Sequence, residues 1–145
     1  MSPTLTVREI DATHSDRIIE LAVQLSDAYT PELLRPRLAD MWRHDGYHCL
    51  GLFSAEDELV GIASAWLSVR LYGGQIMELD NVVIDAAHRG GGAGAFFLRQ
   101  IERWAEARGV RRSELKTYVS NPRSHKFYFR HDYSIYAYYF VKPLK

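Results

Sequence analysis

The chain has 145 residues, of which 47% are hydrophobic and 25% are charged. This length and balance favour one globular domain over residues 1–145 rather than a disordered segment. Lysine and arginine together number 18, as do aspartate and glutamate, so the formal net charge is zero. A zero net charge argues against a protein that binds nucleic acid through bulk electrostatics, because such domains carry a clear basic excess.

The sequence predicts no intramolecular disulfide, no metal site and no membrane span. Cys49 is the single cysteine, so an intramolecular disulfide is excluded and a reducing compartment is favoured. The six histidines lack the spacing of metal ligands, so no metal site is expected. The first residues have neither the basic nor the apolar part of a secretory signal, and the longest weakly polar run, residues 60–69, is about half a membrane span. We therefore expect a cytoplasmic protein without a membrane contact.

In the first half of the chain, local sequence patterns predict one strand, two helices and then three strands. Alternation of apolar and polar residues indicates a strand at Leu5–Ile10. A helix capped by Thr13 or Ser15 then runs to Leu25, and Pro31 opens a second, short helix. Three strands follow, with a tight Gly73-Gly74 hairpin between the last two: His48–Phe53, Leu59–Leu71 and Gln75–Ile84.

The second half of the chain alternates helices and strands. Apolar residues recur at helical spacing in Ala95–Arg108, and Glu114–Val119 is predicted as a strand. Asn121-Pro122 is typical of a helix start, and the aromatic Tyr133–Val141 is predicted as the last strand. The predicted order is β-α-α-β-β-β-α-β-α-β, an antiparallel meander followed by a βαβ unit. The expected class is a mixed α/β sheet.

A glycine-rich loop, Arg89-Gly90-Gly91-Gly92-Ala93-Gly94, lies between a predicted strand and a predicted helix. A helix N-terminus binds anions because its first N–H groups lack partners and carry a partial positive charge. Glycine adopts positive φ readily and lets the backbone approach a phosphate closely. Arg89 and His88 add donors beside the loop. The loop predicts a phosphate site, although a flexible connection between strand and helix would show the same glycines.

Two nucleotide-binding motifs fit this loop less well. Gly90-x-Gly92-x-x-Ala95 has the form of the dinucleotide fingerprint, but it falls too late in the chain for a full doubly wound domain. The acidic residue near the expected offset, Glu114, lies at the beginning of the next strand rather than at its end. The Gly-Lys-Ser/Thr sequence of a P-loop is absent.

Two segments carry a family resemblance. Residues 84–94 resemble the acyl-CoA signature of the GNAT N-acetyltransferase superfamily, Arg/Gln-x-x-Gly-x-Gly/Ala after a strand. Downstream, Asn121-x-x-Ser124-x-x-Phe127-Tyr128, ending in Asp132-Tyr133, is similar to the family's Asn-x-x-Ala-x-x-Leu-Tyr…Gly-Phe. The order of predicted elements agrees over nearly the whole chain. Asp132 and Tyr133 depart from the family's glycine and phenylalanine.

The resemblance implies a GNAT-like central sheet, twisted and mostly antiparallel, with flanking helices. It also implies an N-acetyltransferase that moves an acetyl group from acetyl-CoA to a primary amine by direct attack in a ternary complex. The acceptor is an amine of a small molecule or a peptide, and a homodimer is allowed because many relatives are dimers. An acyl-CoA-binding regulatory module with little turnover is the alternative. The implied cofactor-binding residues are Val82, Val83, Ile84, Arg89, Gly90, Gly91, Gly92, Ala93, Gly94 and Asn121. An N-cap role explains Asn121 equally well.

Glu78 and Asp80 are the candidate bases. Being two residues apart, they share a face if the strand is regular. In relatives an acid at this place often takes the proton of the amine through water, and Asp80 aligns best with that place, ahead of Glu78. A bulge, which the family typically has in this strand, would change which residues face inward. The structural alternative is a solvated or salt-bridged strand residue.

Tyr128 is the candidate acid, because a phenol can share a proton with a departing thiolate. Ser124, Phe127 and Tyr128 also form a stripe at helical spacing, which is usually packing. The resemblance places the oxyanion donor at a backbone N–H near Val82 or Val83, and the pantetheine arm beside Val82 and Ile84.

Other aromatic residues have less specific interpretations. In relatives, the acceptor site is bordered by elements corresponding to those that hold Tyr29, Trp42, Tyr47 and Trp66. Tyr136, Tyr138 and Tyr139 are expected to pack or to form an interface. Cys49, in an apolar strand, is expected to be an inert buried thiol.

Overall fold

Five strands and four α-helices are found in the computed structural model, which describes residues 4–145. The helices are α1 (Ser15–Ala22), α2 (Pro31–Trp42), α3 (Ala93–Glu106) and α4 (Pro122–Arg130). The strands are β1 (Thr6–Ile10), β2 (Tyr47–Phe53), β3 (Leu59–Arg70), β4 (Gly74–Ile84) and β5 (Arg112–Leu115). Contacts divide the chain into two compact units, one ending at Glu114 and one from Leu115 to Lys145.

The strands form one sheet in the order β1-β2-β3-β4-β5. Each of the first three neighbouring pairs is antiparallel, so the first four strands form a meander. The hairpin between β3 and β4 turns at Gly74, whose φ of +66° is the left-handed conformation that a tight turn favours in glycine. The mixed α/β class with a mostly antiparallel sheet is confirmed.

The two faces of the sheet are covered by different helices. On one face, α1 and α2 bury a cluster with alternate residues of the strands, including Ile18, Leu38, Tyr47 and Ile62. On the other face, Trp104 of α3 meets His48 of β2 edge to face, with 5.2 Å between ring centroids. The buried stripe of α3 consists of Ala93, Phe97, Leu98, Ile101 and Ala105, at the spacing that predicted this helix.

A local signal sets the start of α2 as predicted, whereas the predicted cap of α1 by Thr13 or Ser15 is wrong. The residue before α1, His14, makes no side-chain cap hydrogen bond, and Asp11 instead caps the preceding turn by accepting from the Thr13 N–H at 3.0 Å. Thr30 caps α2, since its hydroxyl accepts a hydrogen bond from the Leu33 N–H at 3.2 Å, and Pro31 occupies the first turn. None of the helices found within residues 4–145 combines the length and apolar character needed to cross a membrane.

Two elements near the C-terminus differ from the prediction. β5 spans Arg112–Leu115 rather than Glu114–Val119, and the Arg111 N–H already donates to the Gln75 carbonyl oxygen at 3.1 Å. Among the described residues, none from 133 to 145 is in a helix or strand, so the strand predicted at Tyr133–Val141 is absent. The segment is aromatic, as strands often are, but a strand also needs a hydrogen-bonding neighbour, which composition does not supply.

Candidate active site

A β-bulge interrupts β4 directly after the two candidate bases. Asp80 pairs with Ser64, but the next paired residue of β4 is Val83, which faces Ile62. Two residues of β4 therefore stand opposite one of β3, and Asn81 adopts a left-handed φ of +51°. Because the bulge follows Asp80, Glu78 and Asp80 remain on one face of the sheet, as the regular part of the strand requires.

Glu78 borders a pocket on the face covered by α1 and α2. It pairs across the strands with Trp66, whose ring lies 4.8 Å from that of Tyr47. The pocket has a volume of about 200 Å³ and is lined by Trp66, Leu67, Ser68, Arg70, Tyr72, Ile76 and Glu78. Glu78 is half-buried and Asp80 is exposed. An aromatic wall beside a carboxylate suits an organic cation.

A chain of hydrogen bonds links the bulge of β4 to β3 and β2. The Asp80 carboxylate accepts from the Asn81 N–H at 2.9 Å, and the Asn81 side-chain amide donates to the Ser64 hydroxyl at 3.1 Å. Ser64 in turn lies 3.2 Å from the Tyr47 hydroxyl. Burial raises the pKa of Tyr47, so this phenol stays neutral and acts as a hydrogen-bonding group. These contacts hold Asn81 in its unusual conformation.

Sequence reasoning missed Asn81, although asparagine is one of the few residues that enter the left-handed region readily. Its contact with Ser64 spans 17 positions of the chain. That separation leaves no local pattern from which the pairing could be read.

The glycine loop has the backbone that a phosphate site requires. Gly90, Gly91 and Gly92 have φ values of +88°, +59° and +83°. A Cβ atom added at any of the three would meet no heavy atom within 4 Å, so packing within the chain does not explain these glycines. Gly92 is the N-cap of α3 and supplies no side-chain cap, while the Ala93 N–H donates to the Gly90 carbonyl oxygen at 3.1 Å.

Side chains from distant elements fix the base of this loop. Arg89 donates through Nε to the Ile84 carbonyl oxygen at 2.7 Å and through Nη2 to Gln24 at 3.3 Å. Gln24 also donates to Asp85 at 3.1 Å, and Arg17 lies 3.6 Å from the same carboxylate. The hydrogen bond from Gln24, aided by the charge of Arg17, holds the pKa of Asp85 below its usual value.

Sequence reasoning missed Arg17, Gln24 and Asp85, because nothing local marks contacts across more than 60 positions. It expected Arg89 and His88 to add donors beside the loop, which stays a prediction. The Arg89 guanidinium anchors the loop to the end of β4. His88 lies in the turn before the loop. Its Nδ1 atom is buried without a hydrogen-bond partner among the described residues.

The outer edge of β4 at the bulge extends past β5. β5 has four residues and begins next to Gln75, so it cannot run alongside β4 as far as Val82. Val82, Val83 and Ile84 lie between the bulge and the loop, and Ile84 still pairs with Gly61 on the inner side. This edge has the geometry at which an extended ligand can add as a strand.

In the unit formed by residues 115–145, α4 carries Asn121 and Tyr128. The Asn121 side chain caps α4 by accepting from the Ser124 N–H at 3.2 Å, which accounts for the asparagine locally. Tyr128 lies in the last turn of α4, and its ring is 5.5 Å from that of Tyr133. Burial raises the pKa of Tyr128, so its hydroxyl keeps its proton at neutral pH.

Two other chemistries find little support in the structure. Cys49 is fully buried, and burial raises the pKa of its thiol to about 12, which disfavours the nucleophilic thiolate. Within residues 4–145, no group of three or more histidine, cysteine, aspartate or glutamate side chains is placed to hold a metal ion.

Comparison with known sequences identifies one family. The family model described as the acetyltransferase (GNAT) family matches residues 15–133. That range contains β2 to β5, all four helices and the glycine loop. A search of curated proteins gives no match at the required significance.

Comparison with solved structures gives the same fold at low sequence identity. The chain superposes on an aminoglycoside N-acetyltransferase, AAC(6')-Iy, in complex with CoA, with a TM-score of 0.82 and 15% identity over 100% of this chain and 97% of the other. A glucosamine-6-phosphate N-acetyltransferase from Arabidopsis thaliana gives 0.72 and 18%, over 98% and 99%. An aminoglycoside antibiotic 6'-N-acetyltransferase from Acinetobacter baumannii gives 0.77 and 13%, over 98% and 100%.

Proposed function

The chain belongs to the acetyltransferase (GNAT) family, and we propose that it transfers the acetyl group of acetyl-CoA to a primary amine of a small molecule. The transfer is a direct attack in a ternary complex. One observation carries this proposal: three consecutive glycines with positive φ open α3, and open space lies where their side chains would be. A loop that only connected a strand to a helix would need no such run of left-handed residues.

The loop is suited to the diphosphate of coenzyme A. α3 begins without a side-chain cap, and the helix dipole adds a partial positive charge at this end. The backbone N–H groups of the glycines supply donors, the Ala93 N–H is held by the Gly90 carbonyl oxygen, and Arg89 holds the loop in place through Ile84.

The bulge of β4 then positions the thioester. We assign the pantetheine arm to the exposed edge at Val82 and Ile84, which β5 does not reach. A backbone N–H near Val82 or Val83 donates to the oxygen of the acetyl carbonyl as negative charge develops on it. The contacts of Asn81 with Asp80 and Ser64 keep the bulge in one conformation.

The pocket beside Glu78 is the acceptor site of this proposal. Its aromatic wall and the Glu78 carboxylate suit a cationic amine, Arg70 adds one positive charge to the lining, and a volume of about 200 Å³ accommodates a small group. The solved structures of similar fold include enzymes named for aminoglycoside and glucosamine-6-phosphate acceptors, which are small molecules with amines.

Proton transfer completes the reaction. The ammonium form of the acceptor gives a proton through water to Asp80, with Glu78 binding the cation. The amine nitrogen then bonds to the acetyl carbon, and the bond between that carbon and sulfur breaks. Tyr128, which burial keeps protonated, gives its proton to the departing thiolate. The acetylated amine gives up its excess proton to solvent, from which Tyr128 is reprotonated, and Asp80 releases to solvent the proton that it took from the ammonium.

The test is a thiol-release assay with acetyl-CoA and a panel of polyamines, amino sugars, amino acids and peptides. We expect thiol release with at least one small cationic amine, and an acetylated product whose mass and fragments place the acetyl group on nitrogen. Turnover restricted to peptides would contradict the small-molecule acceptor. Tight binding of CoA without turnover on any amine would instead support the regulatory module.

Two variants assign the carboxylates in the same assay. Asp80→Asn is expected to lower kcat, and Glu78→Gln to raise the KM of the amine more than it lowers kcat. Glu56→Gln, in the exposed turn before β3, is the matched control and should change neither value. The opposite pattern would exchange the two roles.

A further inference from the structure

The pocket beside Glu78 carries opposite charges on two different rows of the sheet. Among the described residues that line it, Glu78 is the one acid and Arg70 is the one base. Glu78 pairs across the strands with Trp66, and Arg70 pairs with Gly74. Residues at even spacing along a strand share a face, so both charged side chains project on the side of the pocket. Four residues of β4 separate the two rows, which is about 13 Å of backbone.

This polarity has a direction relative to the bulge of β4. The bulge and Asp80 follow Glu78 along the strand, whereas Gly74, the residue opposite Arg70, precedes Glu78. In the proposed function the thioester lies at the bulge. The carboxylate is therefore at the end of the pocket nearer the thioester, and the guanidinium is at the end farther from it.

The Arg70 guanidinium is not neutralised by the chain. It makes no side-chain hydrogen bond or ion pair with any residue in the described range 4–145. The carboxylate tied to this end of the pocket, Glu114, is already bound on both oxygens. It accepts from the Tyr72 hydroxyl at 3.0 Å and from the Arg112 Nε–H at 2.7 Å. A guanidinium binds carboxylate or phosphate oxygens through two parallel hydrogen bonds, so Arg70 suits an anion from outside the chain.

Ser68 adds a hydroxyl to the same end of the pocket. It lies two residues before Arg70 on β3, pairs with Ile76 and lines the pocket. Ser68 is half-buried, and its hydroxyl makes no hydrogen bond with another residue of the described part of the chain. A hydroxyl beside a guanidinium offers an anion one further donor.

Given the proposed acetyl transfer, on which this step rests, we propose that the acceptor is an amine that also carries a carboxylate or phosphate group. Glu78 and Trp66 bind the ammonium, and Arg70 with Ser68 binds the anion. Because the two charges are separated along the strands, the anion lies several bonds from the reacting nitrogen, as in an ω-amino acid. An acceptor that presents a second cation to Arg70 is disfavoured, since like charges repel.

The test uses amines of similar chain length that differ only at the end remote from the reacting nitrogen. They are δ-aminovalerate, aminobutyl phosphate, pentylamine and cadaverine, which end in a carboxylate, a phosphate, a methyl group and a second ammonium. Thiol release from acetyl-CoA gives kcat/KM for each, and product masses locate the acetyl group. At least one anionic amine should exceed pentylamine by about 10-fold, and cadaverine should be the poorest acceptor. The carboxylate and the phosphate together show which anion the pocket binds.

Two variants attribute this preference to Arg70. Arg70→Met removes the charge and should abolish the difference in kcat/KM between the preferred anionic amine and pentylamine. Arg70→Glu reverses the charge and should make cadaverine a better acceptor than either anionic amine. Arg99→Met, at an exposed arginine of α3, is the matched control and should keep the wild-type preference. Thermal unfolding by circular dichroism checks that each variant is folded.

Three results would overturn the proposal. Acetylation confined to amines without an anion would refute the anion site and leave amine acetylation intact. A preference for the anionic amine that persists in Arg70→Met would mean that another group binds the anion. If no amine is acetylated although CoA binds, the proposed function fails, and the acceptor class fails with it.

Discussion

Helices α3 and α4 differ at their N-terminal ends. α3 begins at Gly92 without a side-chain cap, whereas the Asn121 side chain closes the start of α4. An open N-terminus leaves its amides to a ligand, and a capped one does not. α4 instead carries Tyr128 on its last turn. In the proposed function, α3 therefore contributes backbone and α4 contributes a side chain.

The C-terminal ends of the two helices share one motif built on different residues. After α3, the Val110 N–H donates to the Ala105 carbonyl oxygen at 3.2 Å, and Gly109 has a φ of +83°. After α4, Tyr133 bonds to Tyr128 in the same way, and Asp132 has a φ of +67°. Both are Schellman motifs, which need a left-handed residue after the last turn. Asp132 stands where the GNAT pattern has glycine, and it adopts the glycine conformation.

The largest expected effect tests the side chain of α4. Tyr128→Phe should lower kcat by between about 10² and 10³, which is the usual contribution of a general acid. The affinity for CoA should stay the same, because the ring and its packing against Tyr133 remain. Steady-state kinetics and calorimetric titration of CoA measure the two quantities. Tyr118→Phe, at an exposed tyrosine of the same unit, is the control. Equal kcat in wild type and Tyr128→Phe would remove the general acid from the mechanism.

The second effect tests the backbone of α3. Gly92→Val should weaken CoA binding by about 50-fold, since a β-branched side chain would fill the space near the amides and strain the left-handed backbone. Gly74→Val is the matched control, because Gly74 also has positive φ and open space but is the first residue of β4. Calorimetry should show nearly wild-type affinity in that control. If both variants lost CoA affinity equally, backbone strain alone would explain the loss.

The smallest expected effect distinguishes the Schellman motif after α3 from the one after α4. Gly109→Ala should lower the free energy of unfolding by about 2 kcal/mol, because alanine is strained at positive φ and its Cβ would lie 2.7 Å from the end of the Gln75 side chain. That contact matters because the Gln75 amide, with its nitrogen turned toward α3, donates to the Gly109 carbonyl oxygen at 2.9 Å.

Asp132→Gly is the matched change after α4 and should alter the free energy of unfolding by less than about 0.5 kcal/mol. It relieves the left-handed aspartate but adds glycine entropy to the unfolded chain. Urea unfolding compares the two variants with wild type. A loss above about 1 kcal/mol in Asp132→Gly would mean that the aspartate side chain itself stabilises the unit.

Local sequence patterns predicted most of the fold and the sequence positions of the candidate site. Alternating residues marked β1, Gly73-Gly74 marked the hairpin between β3 and β4, and helical spacing marked α3, because these patterns depend only on neighbours along the chain. They also predicted that Glu78 and Asp80 share a face, which the register confirms. The roles of Glu78, Asp80 and Tyr128 in catalysis stay predictions, as does the contact of Asn121 with the cofactor.

The position of the bulge and the anchoring of the glycine loop depended on contacts between distant parts of the chain. The position of the bulge follows from the pairing of Asn81 with Ser64, and the anchoring of the loop follows from the contact of Arg89 with Gln24. No local pattern encodes either contact. The C-terminal segment shows most clearly how far sequence patterns predict structure. Residues 133–141 have the composition of a strand and yet form none in the described structure.

By itself, the sequence determined where the chain turns, which faces are apolar and where a backbone without side chains precedes a helix. Each of these properties is written in adjacent residues, through periodicity and through the freedom of glycine. Only the tertiary structure decided which residues leave the regular strand at the bulge and which side chains hold the loop. These outcomes depend on hydrogen bonds that form once separate elements have packed together, so no single segment specifies them.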